Sequence, residues 1–386
     1  MEQLIIGGVI AFLVTFYAIP VVIQVAEQKK LFDVPDERKV HKVPIPSLGG
    51  LAMFAGLMIS LLLTAVLNHS STFQYYIATF VIIFFLGIKD DIVILTPIKK
   101  FVGQLLVAAI LCFKGGILLT SMHGFLGIGQ LDPTASYLLT FFTVIVVINA
   151  FNLIDGVDGL AGSLGLITCV VFGTYFFLAG DLLHALLSFA MVGSIIAFLI
   201  YNYNPAKIFM GDTGSMLLGL VNVILTVHFI ETAPTAKTYP IYSSPAIGFS
   251  ILLLPLMDTL RVFGIRILNR RSPFSPDRNH LHHILLERGM GHKSIAISIA
   301  LASIIPIIIC FTFQRYGNTL LILSLISFFF LGVLLLKVIK PKRIRMQVVK
   351  TFPKENVSSP KESHAASIKL VPLYVSEGEP ALAEED

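Results

Sequence analysis

The chain of 386 residues is dominated by apolar runs of about twenty residues, and this pattern limits its fold more than anything else in it. A bilayer core about 30 Å thick is crossed by roughly 20 apolar residues in a helix, because a helix satisfies its backbone N–H and C=O groups without water. Eleven runs meet the pattern, near residues 4–26, 47–67, 72–88, 101–121, 136–151, 160–180, 183–203, 214–231, 244–266, 294–313 and 318–339. Only 13% of the residues are charged, about half the ~25% of a soluble domain. The expected fold is an all-α integral membrane protein of about 11 transmembrane helices over residues 1–340. A polar tail, 341–386, is expected to be disordered, with its basic start near anionic headgroups. The first run has no Lys or Arg before it and no A-x-A-like site after it, so it reads as a spanning helix rather than a signal peptide.

Eleven spans put the termini on opposite sides and sort the loops alternately. Of the 28 Lys and Arg residues, all but Lys114, Lys237 and Arg315 then fall on one side. By the positive-inside rule that side is cytoplasmic, which puts the N-terminus outside and the C-terminus in the cytoplasm. Cys112, Cys169 and Cys310 lie in apolar segments without metal-like spacing and read as packing residues.

The polar residues are just as unevenly distributed. "INAFNLIDGVDGLAG", Ile148 to Gly162, interrupts two apolar runs with Asn149, Asn152, Asp155 and Asp158. On the same side lie Asp90 and Asp91 at the end of a span, Asp212 in "IFMGDTGS", and the histidines of "RRSPFSPDRNHLHH". The opposite face offers little beyond His123, Asp132, Asp181, His184 and Glu231. Taken singly, each feature has a structural reading, such as a solvated helix end, an Asx turn or a basic surface. Four loops that concentrate Asp, Asn and His at one membrane face point instead to a shared site, since ionisable groups near a bilayer are costly.

Asn and Asp oxygens suit Mg²⁺, which takes few protein ligands and fills its shell with phosphate and water. His and Arg complement phosphate charge. The implied substrate is an anionic, diphosphate-bearing compound, and no Walker-type phosphate loop occurs. A transporter of a phosphorylated or nucleotide solute is the rival of another class, but it would place polar residues at midplane, where these spans are nearly clean.

Five ordered motifs, "RKVHKVPIPSLGG", the "DD" at Asp90–Asp91, "NAFNLIDGVDGLAG", "FMGDTGS" and "HLHH", resemble the polyprenyl-phosphate N-acetylhexosamine-1-phosphate transferases, glycosyltransferases of family 4 type. The resemblance runs from about residue 30 to 295. The compact Asp-rich motif of CDP-alcohol phosphotransferases, which share the metal and diphosphate logic, is absent. The resemblance implies that a UDP-sugar donates sugar 1-phosphate to a polyprenyl phosphate in a bacterial plasma membrane, with Mg²⁺, or Mn²⁺ in its place, as cofactor. Asn152 and Asp212 would hold the metal, and Asp155 would lie beside it. Asp158 would contact uracil, Phe209 would pack on that ring, Lys42 would lie on the nucleotide side, and Asn149 would be a further substrate-binding residue. His280, His282, His283 and Arg278 would meet the diphosphate or sugar, and Asp90 and Asp91 would lie near the lipid phosphate. Leu281 interrupts the histidines, a pattern similar to the branch using UDP-N-acetylglucosamine and undecaprenyl phosphate, which starts teichoic acid, O-antigen or related glycopolymers. The branch using the muramoyl-pentapeptide nucleotide has three in a row. The resemblance further implies a homodimer and no nucleic-acid partner.

A base role for Asp90 or Asp91 is not expected. A phosphate monoester has its second pKa near about 6, so the lipid phosphate is mostly a dianion at neutral pH and has no proton to lose. Positioning is the better role, through a cation, a water, or Lys99 or Lys100.

Overall fold

The fold was obtained as a computed structural model that describes residues 1–33, 45–64, 72–272, 279–338, 345–351 and 367–373. It is mostly helical. The helices are α1 (Glu2–Lys29), α2 (Gly49–Thr64), α3 (Phe73–Ile92), α4 (Pro97–Phe113), α5 (Pro133–Ile154), α6 (Leu160–Ala179) and α7 (Leu182–Asn202). They continue with α8 (Gly211–Thr232), α9 (Ser244–Ile251), α10 (Leu253–Leu268), the short α11 (Leu281–Glu287), α12 (His292–Phe313) and α13 (Asn318–Val338).

Each of the eleven apolar runs contains helix, but fewer helices qualify as membrane spans. Among the described residues, seven helices are long and apolar enough to cross a membrane, or eight if α9 and α10, bent by 78°, count as one. The others fall short for physical reasons. The apolar α2 has 16 residues and α4 has 17, about 25 Å at 1.5 Å per residue, and α3 ends in Lys89, Asp90 and Asp91. The fourth run also stops earlier than expected. Its helix ends at Phe113, and the chain then turns through Gly116 at φ 68° into the antiparallel pair β3 (Ser121–Phe125) and β4 (Ile128–Gln130). A second small ladder joins β1 (Phe32–Asp33) to β2 (Ile45–Pro46).

The chain divides into two units, residues 1–333 and 334–386. In the second, where the sequence suggests disorder, β5 (Arg345–Thr351) pairs antiparallel with β6 (Ser367–Leu373), Arg345 opposite Leu373 and Thr351 opposite Ser367. The three cysteines are free and buried, in keeping with packing roles.

In the first unit α8 is the axis. A helix apolar on all sides belongs inside a bundle, and α8 is buried along most of its length against α2, α3, α5, α6 and α9. Close approach needs small residues. At the crossing of α3 and α8, a Cβ on Gly87 would lie 2.4 Å from the Thr213 Cα. This crossing sets Asp90 and Asp91, one turn further along α3, beside the start of α8.

Gly87→Ala should therefore destabilise the protein by about 1–3 kcal/mol, the usual cost of overpacking. Gly332→Ala on α13, where a Cβ meets nothing within 4 Å, should be neutral or stabilising by up to about 1 kcal/mol, because alanine favours helix. Thermal unfolding in detergent compares the two. Equal midpoints would mean that the crossing does not limit the fold.

Candidate active site

The site begins with an unusual capping arrangement. The first N–H groups of a helix lack partners within it, and at α8 the carboxylate of Asp91 supplies them from another helix. Its Oδ1 accepts the Asp212 N–H at 2.7 Å, and its Oδ2 accepts the Thr213 N–H at 3.1 Å and the Thr213 hydroxyl at 2.5 Å. Gly211 has φ 70°, and a Cβ there would meet the Ser47 carbonyl at 2.1 Å and Asp91 at 2.7 Å, so only glycine fits. The segment before α2 runs alongside. Phe209 N–H donates to Pro46 O at 2.8 Å, and Gly49 and Gly50 N–H donate to the carbonyls of Phe209 and Met210 at 2.9 and 2.8 Å. Asp90 is buried and accepts the Leu95 N–H at 2.6 Å. Lys100 from α4 binds both Asp90 and Asp212, the latter at 2.8 Å, and so ties α3 to α8.

The seam between α5 and α6 closes the other side. Asn152, on the last turn of α5, directs its amide nitrogen to Asp212 Oδ1 and, at 3.0 Å, to Ser215 Oγ. Asp155 follows at the end of α5. Desolvation, then the charges of Asp212, Asp91 and Asp158, push its carboxyl up to about 8. Asp158 shifts the other way. Burial alone would raise it, but His292, with Nδ1 3.1 Å from Oδ1, and Asn204, 2.9 Å from Oδ2, hold it below the ordinary carboxylate range. Asn202 links the seam to the next loop, accepting the Gly159 N–H at 2.8 Å and donating to Ile208 O at 2.9 Å.

The histidines rest on a residue that sequence reasoning missed. Asp258 is fully buried in α10, and its carboxylate meets Arg261 Nη2 at 2.7 Å, His280 Nδ1 at 2.9 Å and the Leu281 N–H at 3.0 Å. His282 lies against Gly156, where a Cβ would come 2.4 Å from its Nε2. Burial, then the neighbouring His283 and His280, hold the His282 imidazole down at about 3, so it is neutral near pH 7. His280 Nε2 and His282 Nδ1 are buried without a hydrogen-bond partner among the described residues.

These elements enclose a cavity of about 440 Å³. Of the residues expected from sequence, Asp90, Asp91, Asn152, Asp155, Asp158, Phe209, Asp212 and His283 line it. Asn149 lies behind it, paired with Gln104 at 2.7 Å. His280 and His282 are buried beside it, as is Leu281. Lys42 and Arg278 lie outside the described residues. His292, Asn202 and Ser215 line the cavity without having been expected. The signal for Asp258 was available: a lone Asp in the apolar "LLPLMDTLRV", one turn before Arg261, is a pair of the kind that marks an intramembrane ion pair. The spacing of His292 from the other motifs carried no comparable signal.

The donor set suits a hard divalent cation. Five aspartates line the cavity, and among the described residues Lys100 is the one Lys or Arg paired with any of them. Mg²⁺ sites are built from carboxylate and amide oxygens, and Asn152, whose amide nitrogen donates to Asp212 here, brings an amide oxygen to the same corner of the cavity as these carboxylates.

A family model described as Glycosyl transferase family 4 matches residues 73–230, which hold Asp90, Asp91, the α5–α6 seam and Asp212. The chain is 33% identical over 326 residues to the decaprenyl-phosphate N-acetylglucosaminephosphotransferase of Mycobacterium leprae (strain TN), covering 78% of this chain and 81% of that protein. It is 30% identical over 348 residues to the undecaprenyl-phosphate alpha-N-acetylglucosaminyl 1-phosphate transferase of Escherichia coli (strain K12), covering 87% and 92%.

Asp258→Ala should cost about 3–5 kcal/mol, the usual result of removing one partner from a buried ion pair. It leaves Arg261 and the His280 segment without their anchor. The unfolding midpoint in detergent measures the loss. A change within the roughly 0.5 kcal/mol typical of surface substitutions would reject the anchoring role.

Proposed function

Because the chain belongs to glycosyl transferase family 4, we propose that it transfers N-acetylglucosamine 1-phosphate from UDP-N-acetylglucosamine to a polyprenyl phosphate. A lipid-phosphate oxygen bonds to the sugar-bearing phosphorus, and the bond from that phosphorus to the bridging oxygen breaks, so UMP leaves. The single observation that carries this reading is the cavity itself, where five aspartates, Asn152, Phe209 and two histidines meet from separate segments of the chain.

The residues divide the work. Asn152 and Asp212 would hold Mg²⁺, or Mn²⁺ in its place, with Asp155 adjacent. When bound, the metal supplies charge stabilisation to the reacting diphosphate. Asp158, already oriented by Asn204 and His292, serves the uracil, and Phe209 packs on that ring. His283 and His292 face the diphosphate, while His280 and His282 hold the segment that carries His283. Asp91 and Lys100 are positioning residues for Asp212.

Supporting the donor assignment, the names of both relatives specify N-acetylglucosamine. They differ in the lipid, decaprenyl in one and undecaprenyl in the other. Undecaprenyl phosphate is our choice of acceptor, the reaction being the first membrane step of a cell-envelope glycopolymer such as teichoic acid or O-antigen. The skew of basic residues supports a cytoplasmic site in a multi-pass protein of the plasma membrane, with the N-terminus outside.

Release of UMP from a panel of UDP-sugars, with polyprenyl phosphate present, tests the reading. UDP-N-acetylglucosamine should react and the muramoyl-pentapeptide nucleotide should not, and chelation should stop the reaction. Asp212→Asn should lose more than the roughly 10–100-fold typical of outer-shell partners of a metal. Comparable turnover of the muramoyl nucleotide would overturn the donor assignment, and lipid-independent UMP release the reaction.

Asp90 engages both Leu95 and Lys100, which suits positioning. Phosphoryl transfer depends on placement and charge stabilisation, and proton removal from a dianion has nothing to contribute. Asp90→Asn should lower turnover while the acidic limb of the pH–rate profile stays near pH ~6, where the lipid phosphate protonates. Loss of that limb in the variant would make Asp90 the base.

A further inference from the structure

Three titratable side chains converge at the end of the bundle remote from the cavity. Asp181 caps α7, accepting the His184 N–H at 3.2 Å. Its Oδ2 lies 2.9 Å from His184 Nδ1 and 2.7 Å from His228 Nε2. His228 stands on α8, about 24 Å of helix from Asp212 at 1.5 Å per residue. The cluster thus joins the α6–α7 turn, α7 and α8 at one end, while the cavity uses the same helices at the other.

We propose that Asp181, His184 and His228 form a structural zinc site, with water as the fourth ligand. The ligand atoms all lie within 4.8 Å of one another. A tetrahedral zinc with bonds of about 2.0–2.1 Å needs them about 3.3 Å apart, so the carboxylate has only about half an ångström to retreat from either imidazole. Two nitrogens and one oxygen suit zinc, whereas Mg²⁺ prefers oxygen alone. Tyr76 of α3 supplies the outer contact common to zinc-bound histidines, its hydroxyl 3.3 Å from His184 Nε2. His184 is nearly closed off, but the His228 and Asp181 side chains remain 20% and 29% exposed, which leaves a path for the ion and a place for the water.

The placement of the two rings also shows what the ion would change. The two imidazoles lie flat against each other, centroids 3.5 Å apart and planes at 12°. Both meet one carboxylate oxygen, so protonating both would put two like charges face to face. Zinc would take the place of the hydrogens between those nitrogens and Asp181, with His184 then carrying its proton on Nε2, where the Tyr76 oxygen accepts it. The rings would fan apart to aim their lone pairs at one ion. Helix capping by Asp181 would by itself require neither histidine.

Cobalt substitution tests this on the full-length protein, purified in detergent and stripped by a chelator. Four-coordinate Co²⁺ with nitrogen ligands absorbs strongly in the visible, whereas six-coordinate oxygen sites absorb weakly. The band should appear in the wild type and in Asp212→Asn, vanish in His228→Gln, and be bleached by one equivalent of zinc. Zinc should raise the unfolding temperature of the wild type and leave that of His228→Gln unmoved. Should His228→Gln fail to fold, Asp181→Asn keeps the helix cap and should bind zinc at least tenfold more weakly. No cobalt band in the wild type, or an unchanged band or zinc affinity in the variant that folds, overturns the proposal.

Discussion

The first N–H groups of a helix have no partner within it, and at α8 they lie at the edge of the cavity, on half-buried Asp212 and buried Thr213. Asp91 answers with a carboxylate from another helix that takes two of those N–H groups and a hydroxyl. The rest of the site depends on this contact, because fixing the first turn of α8 fixes Asp212 relative to Asn152 on α5 and Lys100 on α4. The glycines at the crossing follow from it too. Gly87 lets α3 come close enough for Asp91 to reach, and Gly211 turns the chain where the carboxylate and the Ser47 carbonyl leave no room for a side chain.

Charge is the second constraint. Asp90 and Asp212 share Lys100, and a buried carboxylate left without such a partner costs several kcal/mol. Asp91 and Asp155 add acidity that no described Lys or Arg offsets. The imbalance that draws Lys100 to Asp212 would also suit the proposed divalent cation, and after desolvation by burial it adds to the upward shift of the Asp155 carboxyl. Asp158 stands apart because His292 and Asn204 stabilise its charged form, so two aspartates three residues apart face opposite electrostatic environments.

The histidine motif shows how one short stretch divides its duties. His280 is bound to Asp258, His282 sits against Gly156, and of the three only His283 lines the cavity. A helix begins immediately after His280, so successive residues point in different directions, and chemically identical side chains become an anchor, a spacer and a wall of the site.

What the sequence by itself determined is the class of the molecule and the chemistry of one face. Long apolar runs must be helices in a bilayer, and Asp, Asn and Gly at fixed offsets in the α5–α6 seam and the "MGD" turn supply the oxygen donors and the close backbone approach that the proposed cation and phosphate would use. Tertiary structure decided which of those residues meet. The direction of Asp91, the reach of Lys100, the withdrawal of Asn149 to Gln104 and the role of Asp258 depend on contacts between residues far apart in the chain, and residue type does not encode them. The same holds for the helices. Composition marks a run as apolar, but whether it ends early at Phe113, bends by 78° between α9 and α10 or runs straight is set by its neighbours, because packing against them compensates for a helix too short or too bent to span the bilayer alone.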